Sequence, residues 1–284
     1  MPYYIVNVGE NRENMLGAAV LYLRAGENGS LPEFTGRVMH GVFFNTLSEM
    51  SSELAEFIHD ELNLKPFSVS ELIGQQKRQV IRRKFKVRQG DLFKWRVATL
   101  NEELLNAIAH LPLKYRFSIN KIPMTLEKII IDGEREAGTG AINDEELMAA
   151  CMSMENFSSI RVHFVSPTTF KVNQNDYPLP VPKLFFSSLA DKWQQAGLPA
   201  DINKEYIKEL AEMIYPSYWQ GKSSRTYLAE GRGVRTFKGE FVYELSALSL
   251  EERQIMLLLA QFGCFAGCGR MTGQGMGQIE VELE

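Results

Sequence analysis

The sequence predicts an α+β protein built from two tandem ferredoxin-like (RRM-like) βαββαβ domains. Three observations predict it. The first half runs strand, helix, strand pair, helix, strand, which is the ferredoxin-like order. The second half permits the same order, less regularly, and a glycine-rich stretch separates the last helix from the last strand. A length of 284 residues suits two domains, and 45% apolar content is enough for proper cores.

Residues 3–8 alternate as a first strand and stop at Gly9, while 16–23 fit helix and strand equally. A loop over 26–32 leads to a helix over 35–50, with Val38, Val42, Phe43 and Leu47 as its apolar stripe. Ser51 caps a second helix that carries Leu54, Phe57 and Ile58 and ends near Leu62, before Pro66. Residues 67–72 form a short strand. Two longer strands, 80–88 and 92–100, are joined by Gln89-Gly90-Asp91. A helix over 101–110 and strands over 113–119 and 124–131 complete a first domain, residues 1–136. Residues 137–156 form a linker with a short helix, and 157–284 form the second domain. There, 160–165 is a strand and the proline-rich 177–182 is rigid and extended. Residues 184–195 and 203–214 are helical, with Phe185, Leu189 and Trp193 on one core-facing stripe. A strand over 234–245, a helix over 250–262 and an alternating strand over 278–283 end the chain.

The formal charge of −4 excludes a polybasic nucleic-acid binder, so any such surface must be local. Cys151, Cys264 and Cys268 form no CxxC pair and lack nearby histidines, which argues against zinc and against a disulfide framework and fits a reducing cytoplasm. Strand-like sequence starts at Tyr3, so no signal peptide is expected. No apolar run approaches the ~20 residues of a membrane span.

Six glycines fall between Gly263 and Gly277. Glycine costs entropy in regular structure, so this density marks backbone at positive φ or in close contact. Gly267 and Gly269 make one Gly-x-Gly clamp, Gly275 and Gly277 the other, with Arg270 and Thr272 at the tip. Such a loop can present N–H groups to phosphate oxygens. The plainer alternative is a glycine-lined hairpin that packs helix on sheet. A dinucleotide fingerprint needs strand, loop, helix, whereas the order here is helix, loop, strand. Gly221-Lys222-Ser223 imitates the end of a Walker loop, but Pro216 stands where its first glycine belongs.

The doubled clamp resembles the signature loop of the RAMP-superfamily CRISPR RNA endoribonucleases, which cut repeat units out of the precursor transcript. The stretch from His40-Gly41-Val42-Phe43-Phe44 through Ile58-His59-Asp60 to Lys65-Pro66-Phe67-Ser68 is similar to that family's N-terminal helices and following strand. Phe164-Val165-Ser166-Pro167-Thr168-Thr169-Phe170, the helix from Ser187 to Trp193, and Phe237-Lys238-Gly239-Glu240-Phe241 resemble its C-terminal domain.

The resemblance implies cleavage without metal or other cofactor: a 2′-OH attacks in line, leaving a 2′,3′-cyclic phosphate and a 5′-OH. Such chemistry needs a base, an acid and positive charge near the transition state. By motif, His59 takes the family's histidine position and Lys65 its lysine position. The tyrosine position falls on Phe44, which has no proton to give. His40, four residues earlier and one helical turn away, is the candidate to fill that role. Histidine, with a reference pKa near ~6.5, exists in both forms at neutral pH. Without the resemblance, His59 reads as a surface helix histidine, His40 as a hydrogen-bonded core-edge residue and Lys65 as a solvated lysine. His110 reads as a helix cap and His163 as structural.

Between Lys77 and Arg96, nine cations face one acid, Asp91. On a strand over 80–88, Arg82, Lys84, Lys86 and Arg88 share one face. Repelling charges so aligned point to a polyanion, against the alternative of a solvated edge that discourages aggregation. Arg225, Arg232, Arg235, Lys238 and Arg270 make a second basic set near the glycine loop. The expected partner is CRISPR repeat RNA, precursor and product. Other CRISPR effector proteins and a second copy of the chain are further expected partners. The rival expectation is a non-catalytic RNA-binding subunit of an effector complex, favoured by Phe44.

Overall fold

The computed structural model describes residues 15–60, 65–75, 79–229 and 231–284. The strand expected at 3–8, the end of the second helix, and Lys77 and Arg78 lie outside the described residues.

The first half is organised around β1 (Met15–Ala25), the stretch that periodicity left open between helix and strand. Its burial explains the ambiguity. From Leu16 through Leu21 every residue is buried, so both faces are apolar and no alternation is written. Then follow β2 (Gly29–Pro32), α1 (Gly36–Met50) and α2 (Ser52–Asp60), β3 (Phe67–Val69) and β4 (Ile73–Gly74). The small hairpin of β5 (Val80–Ile81) and β6 (Lys84–Val87) leads to β7 (Leu92–Thr99), α3 (Glu102–Ala109), β8 (Arg116–Ile119) and β9 (Ile122–Ile130). The main sheet is antiparallel in the order β3-β7-β1-β9-β8. Its first four strands are the second, third, first and fourth of a ferredoxin-like unit. Phe43, Leu47, Ala55, Ile58, Leu104 and Ile108 of the helices bury against Leu21, Leu23 and Trp95 of the sheet.

The single strand expected over 80–88 is corrected to a hairpin. Arg82 and Arg83 form its turn with φ of 50° and 60°, and β6 pairs with β5 and β2 rather than with β7. Left-handed backbone at two non-glycine residues costs roughly 1–2 kcal/mol each. Nothing in an alternation pattern announces such a turn.

The second half begins within the residues read as a linker. β10 (Gly140–Asn143) adds to the first sheet by pairing with β1, while α4 (Asp144–Met152) buries Leu147 and Cys151 in the second core. Next come β11 (Ser159–Thr168), β12 (Phe170–Val172), β13 (Asn175–Tyr177), α5 (Pro182–Gln195) and α6 (Lys204–Glu212). The long hairpin of β14 (Tyr215–Ala229) and β15 (Arg232–Glu244), α7 (Leu250–Ala266) and β16 (Ile279–Leu283) complete the chain. The sheet order β14-β15-β11-β16 is again second, third, first, fourth. β14 escaped sequence reading because it is an edge strand, exposed from Tyr215 to Arg225 on both faces, so burial imposes no pattern on it.

Arg96 of β7 rivets the halves. Its Nε donates to the Gly138 carbonyl (2.6 Å) and its Nη2 to the Cys264 carbonyl of α7 (2.7 Å). The Ser68 hydroxyl of β3 donates to the Phe265 carbonyl at 2.9 Å.

Candidate active site and RNA interface

Helix α7 starts with a reciprocal capping box between Ser249 and Glu252 and ends at Gly267, which takes φ 67°. The glycine-rich loop then turns through Gly269 (φ 66°), Met271 (φ 59°), Gly275 (φ 87°) and Gly277 (φ 71°), with a 3-10 turn over Thr272–Gln274. The motif Ser166-Pro167-Thr168-Thr169 cradles it from one side. The amides of Arg270, Gly277 and Gln278 donate to the Thr169 carbonyl, the Pro167 carbonyl and the Ser166 hydroxyl. The Cys268 amide donates to the Gly277 carbonyl, which closes the loop on itself, and the Gly269 amide donates to the Ser188 hydroxyl of α5.

These bonds change the reading of the loop. Much of its N–H set is turned inward, so the glycines are needed first for close packing. A Cβ at Gly275 would lie 2.6 Å from the Gly36 Cα, at the start of α1. The loop therefore docks against the first half, between α1 and β3. Thr272, expected at the tip, is buried, and its hydroxyl lies 3.3 Å from the Lys192 Nζ. Arg270 is held by Asp176, with Nη1 2.7 Å from Oδ1.

His40 stands one turn beyond Gly36 on α1 and meets the loop directly. Its Nδ1 lies 2.7 Å from the Gly273 carbonyl oxygen. A carbonyl only accepts, so Nδ1 carries the proton and Nε2 is the basic nitrogen of the neutral ring. The ring also stacks on Phe67, with centroids 6.0 Å apart, and meets the Phe44 ring edge-on at 5.0 Å. Phe44 thus supports the imidazole as an apolar wall. His59 lies in the last turn of α2, and its side chain is outside the described residues. Lys65 folds back on that turn, its Nζ donating to the Ile58 carbonyl at 2.7 Å. The lysine and the helix end that carries His59 are therefore neighbours.

The basic residues divide. Lys84 and Lys86 share the exposed face of β6, Arg88 is exposed just past its end, and Arg82 is exposed in the turn instead of continuing the stripe. Lys94 and Arg96 drop out: the first is paired with Glu136 at 2.7 Å and the second joins the domains. In the second half, register sets Arg225 opposite Arg235 and Lys222 opposite Lys238. Like charges directly opposite on two strands repel, which a bound polyanion relieves. Lys238 also approaches Glu71 of the first half at 3.8 Å. Burial pushes the Glu71 carboxyl above the usual carboxylate range, and Lys238 opposes that. Arg232 lies at the β14–β15 turn, its side chain outside the described residues. The Arg83 guanidinium sits 4.1 Å from the centroid of the Tyr227 ring. The two basic hairpins, one from each half, therefore meet beside the loop, where Leu228 and Val234 pack with Phe34 and Met276.

Lys192, near the end of α5, carries no sequence signal. It sits beside Asp191 and reads as a solvated lysine, yet it is 8% exposed, and burial pushes its ammonium pKa down to about 8. The cysteines are free thiols. Burial pushes all three up to about 12, leaving them protonated at neutral pH.

Two ferredoxin-like units joined by a glycine loop that touches a histidine of the first helix define a RAMP-type RNA-binding protein. Residues 162–279 match the family model CRISPR-associated endoribonuclease Cas6, and residues 19–121 match the CRISPR Cas6 N-terminal domain. The chain belongs to the Cas6 family of CRISPR-associated endoribonucleases. A curated relative is the Cas6 endoribonuclease of Streptococcus thermophilus, 21% identical over 239 residues that cover 83% of this chain and 88% of that one. Among solved structures, Thermus thermophilus Cas6 superposes with a TM-score of 0.71 at 26% identity, covering 96% of this chain and 100% of that one. A Cas6 product complex superposes at 0.73, also 26% identical, over 94% of this chain and 100% of its own.

Proposed function

We propose that this Cas6 endoribonuclease, which binds CRISPR repeat RNA and cleaves it, does so without a metal, by attack of the ribose 2′-OH on the adjacent phosphate. His40 and His59 share the acid and base roles, and Lys65 supplies positive charge near the phosphorane-like transition state. The products carry a 2′,3′-cyclic phosphate and a 5′-OH. The observation that carries this reading is the His40–Gly273 hydrogen bond, which fixes one tautomer of an imidazole at the junction of the two halves. The exposed cations of β6 and of the β14–β15 hairpin converge on that junction and offer a track for phosphates. Arg82, Lys84, Lys86, Arg88, Arg232, Arg235 and Lys238 are the phosphate contacts of this reading. Gly267, Gly269, Arg270, Thr272, Gly275 and Gly277 shape the loop beside them.

The test is repeat RNA incubated with the protein in excess EDTA, with wild type, His40→Ala and His59→Ala in parallel. Undiminished wild-type cleavage and loss of rate in both variants are expected. Cleavage that vanishes with EDTA would sink the mechanism. One observation favours a second reading, a non-catalytic RNA-binding subunit working with other effector proteins or with a second copy of itself: Phe44 removes a proton donor. Tight binding with uncut RNA would decide for it. The free thiols fit a cytoplasmic location, and among the described residues no helix is long and apolar enough to cross a membrane.

A further inference from the structure

We propose that Lys192 is a positioning residue for the imidazole of His40, acting through the consecutive pair Thr272–Gly273; the inference rests on the role given to His40 above. The Lys192 Nζ lies 2.9 Å from the Gly267 carbonyl oxygen, 3.2 Å from that of Ala266 and 3.3 Å from the Thr272 hydroxyl. One residue further on, the Gly273 carbonyl accepts from His40 Nδ1. Two adjacent loop residues therefore tie an ammonium on α5, in the second half, to an imidazole on α1, in the first.

A buried lysine is a costly way to fill space, because desolvation disfavours its charge and an apolar side chain of similar volume packs as well. What only the ammonium brings is three donors. They meet carbonyls left open at the C-terminal end of α7, where the helix dipole is negative. Ser188, one turn earlier on α5, holds the Gly269 amide at 3.2 Å, so one face of α5 grips the loop at two points. A loop released from that face carries the Gly273 carbonyl out of hydrogen-bond range of Nδ1. The imidazole then loses the acceptor that holds the proton on Nδ1, and the other tautomer gains population. Partners that orient the ligands of a metal govern affinity or activity by about 10–100-fold, and the same scale is expected for a partner that orients an imidazole through one intermediate.

Three variants of the full chain test this. Lys192→Met keeps length and removes donors, Thr272→Val keeps shape and removes the hydroxyl, and Lys192→Arg keeps charge and donors. Each is measured for repeat-RNA affinity, for single-turnover cleavage and for the imidazole nitrogen NMR signals of His40. Affinity is expected to hold within about 2-fold while cleavage falls about 10–100-fold in Lys192→Met and about 10-fold in Thr272→Val. The His40 signals should move from the Nδ1–H tautomer toward a mixture, and Lys192→Arg should recover part of the rate. In a His40→Ala background, Thr272→Val should slow cleavage no further. Wild-type rates and unchanged His40 signals in Thr272→Val, with His40→Ala inactive, would overturn the proposal and leave the role of His40 standing. Additional slowing by Thr272→Val in the His40→Ala background would overturn it equally. Wild-type cleavage by His40→Ala would instead remove the reading on which the proposal rests. If Lys192→Met fails to fold, Thr272→Val and the NMR signals decide alone.

Discussion

The two halves share one strand order, and in each the helix that follows the first strand grips the same glycine loop. In the first half that helix is α1, which offers the loop a glycine for close approach and a histidine for hydrogen bonding. In the second it is α5, which offers a serine and a buried lysine. The duplicated architecture has thus been divided by task. One copy presents an imidazole, and the other presents groups that only hold backbone. The division follows from what each helix touches. α1 meets the loop where Gly273 turns its carbonyl toward the first half, whereas α5 meets it where α7 runs out of hydrogen-bond partners.

Removing His40 should break the comparison most sharply. His40→Ala is expected to slow cleavage by about 10²–10⁴-fold, the usual worth of a general acid or base, with repeat-RNA affinity retained; single-turnover kinetics beside a binding titration measure both. Gly275→Ala attacks the shared loop instead. It puts a Cβ 2.6 Å from the Gly36 Cα at φ 87°, against backbone that cannot move aside. A loss of roughly 3 kcal/mol or more is expected, seen as a lower denaturant midpoint. A midpoint unchanged by Gly275→Ala would mean that the halves do not rely on this contact.

Smaller effects sharpen the picture. Arg225→Ala and Arg235→Ala should each weaken RNA binding several-fold and lower the salt slope by about 1. Either one should slightly stabilise the free protein by relieving the cross-strand repulsion. Affinity measured between low and moderate salt, with thermal melts of the free protein, checks both signs. The smallest effect is the pH dependence contributed by Lys192. Its folded pKa of about 8 lies below the ordinary lysine value, so the unfolded chain binds more protons between about pH 8 and pH 10.4. Stability from this group should therefore rise with pH across that window, and Lys192→Met should flatten the rise in denaturation curves taken at pH 7.5 and pH 10.

Legibility in the sequence tracked burial on one face. Helices α1, α3 and α5 could be read because one stripe is more deeply buried than the opposite side, and α7 because its apolar run is too long for a strand and opens with a capping serine. β1 could not, being buried on both faces, and β14 could not, being exposed on both. The turn at Arg82 and Arg83 was hidden because arginine rarely adopts left-handed backbone. At the site, His40 and the glycine clamps stood out by type and spacing. Lys192 did not, since nothing in Asp191-Lys192-Trp193 says that the lysine turns inward toward carbonyls 75 positions away.

The Arg96 guanidinium has a consequence for how substrate arrives. Prying the halves apart would strip this half-buried cation of the Cys264 carbonyl and also part Ser68 from Phe265 and His40 from Gly273. Such a seam resists opening like the spine of a book glued shut. The nuclease therefore receives its transcript as a nearly fixed mould, and the bending and unstacking needed to reach in-line geometry fall on the RNA.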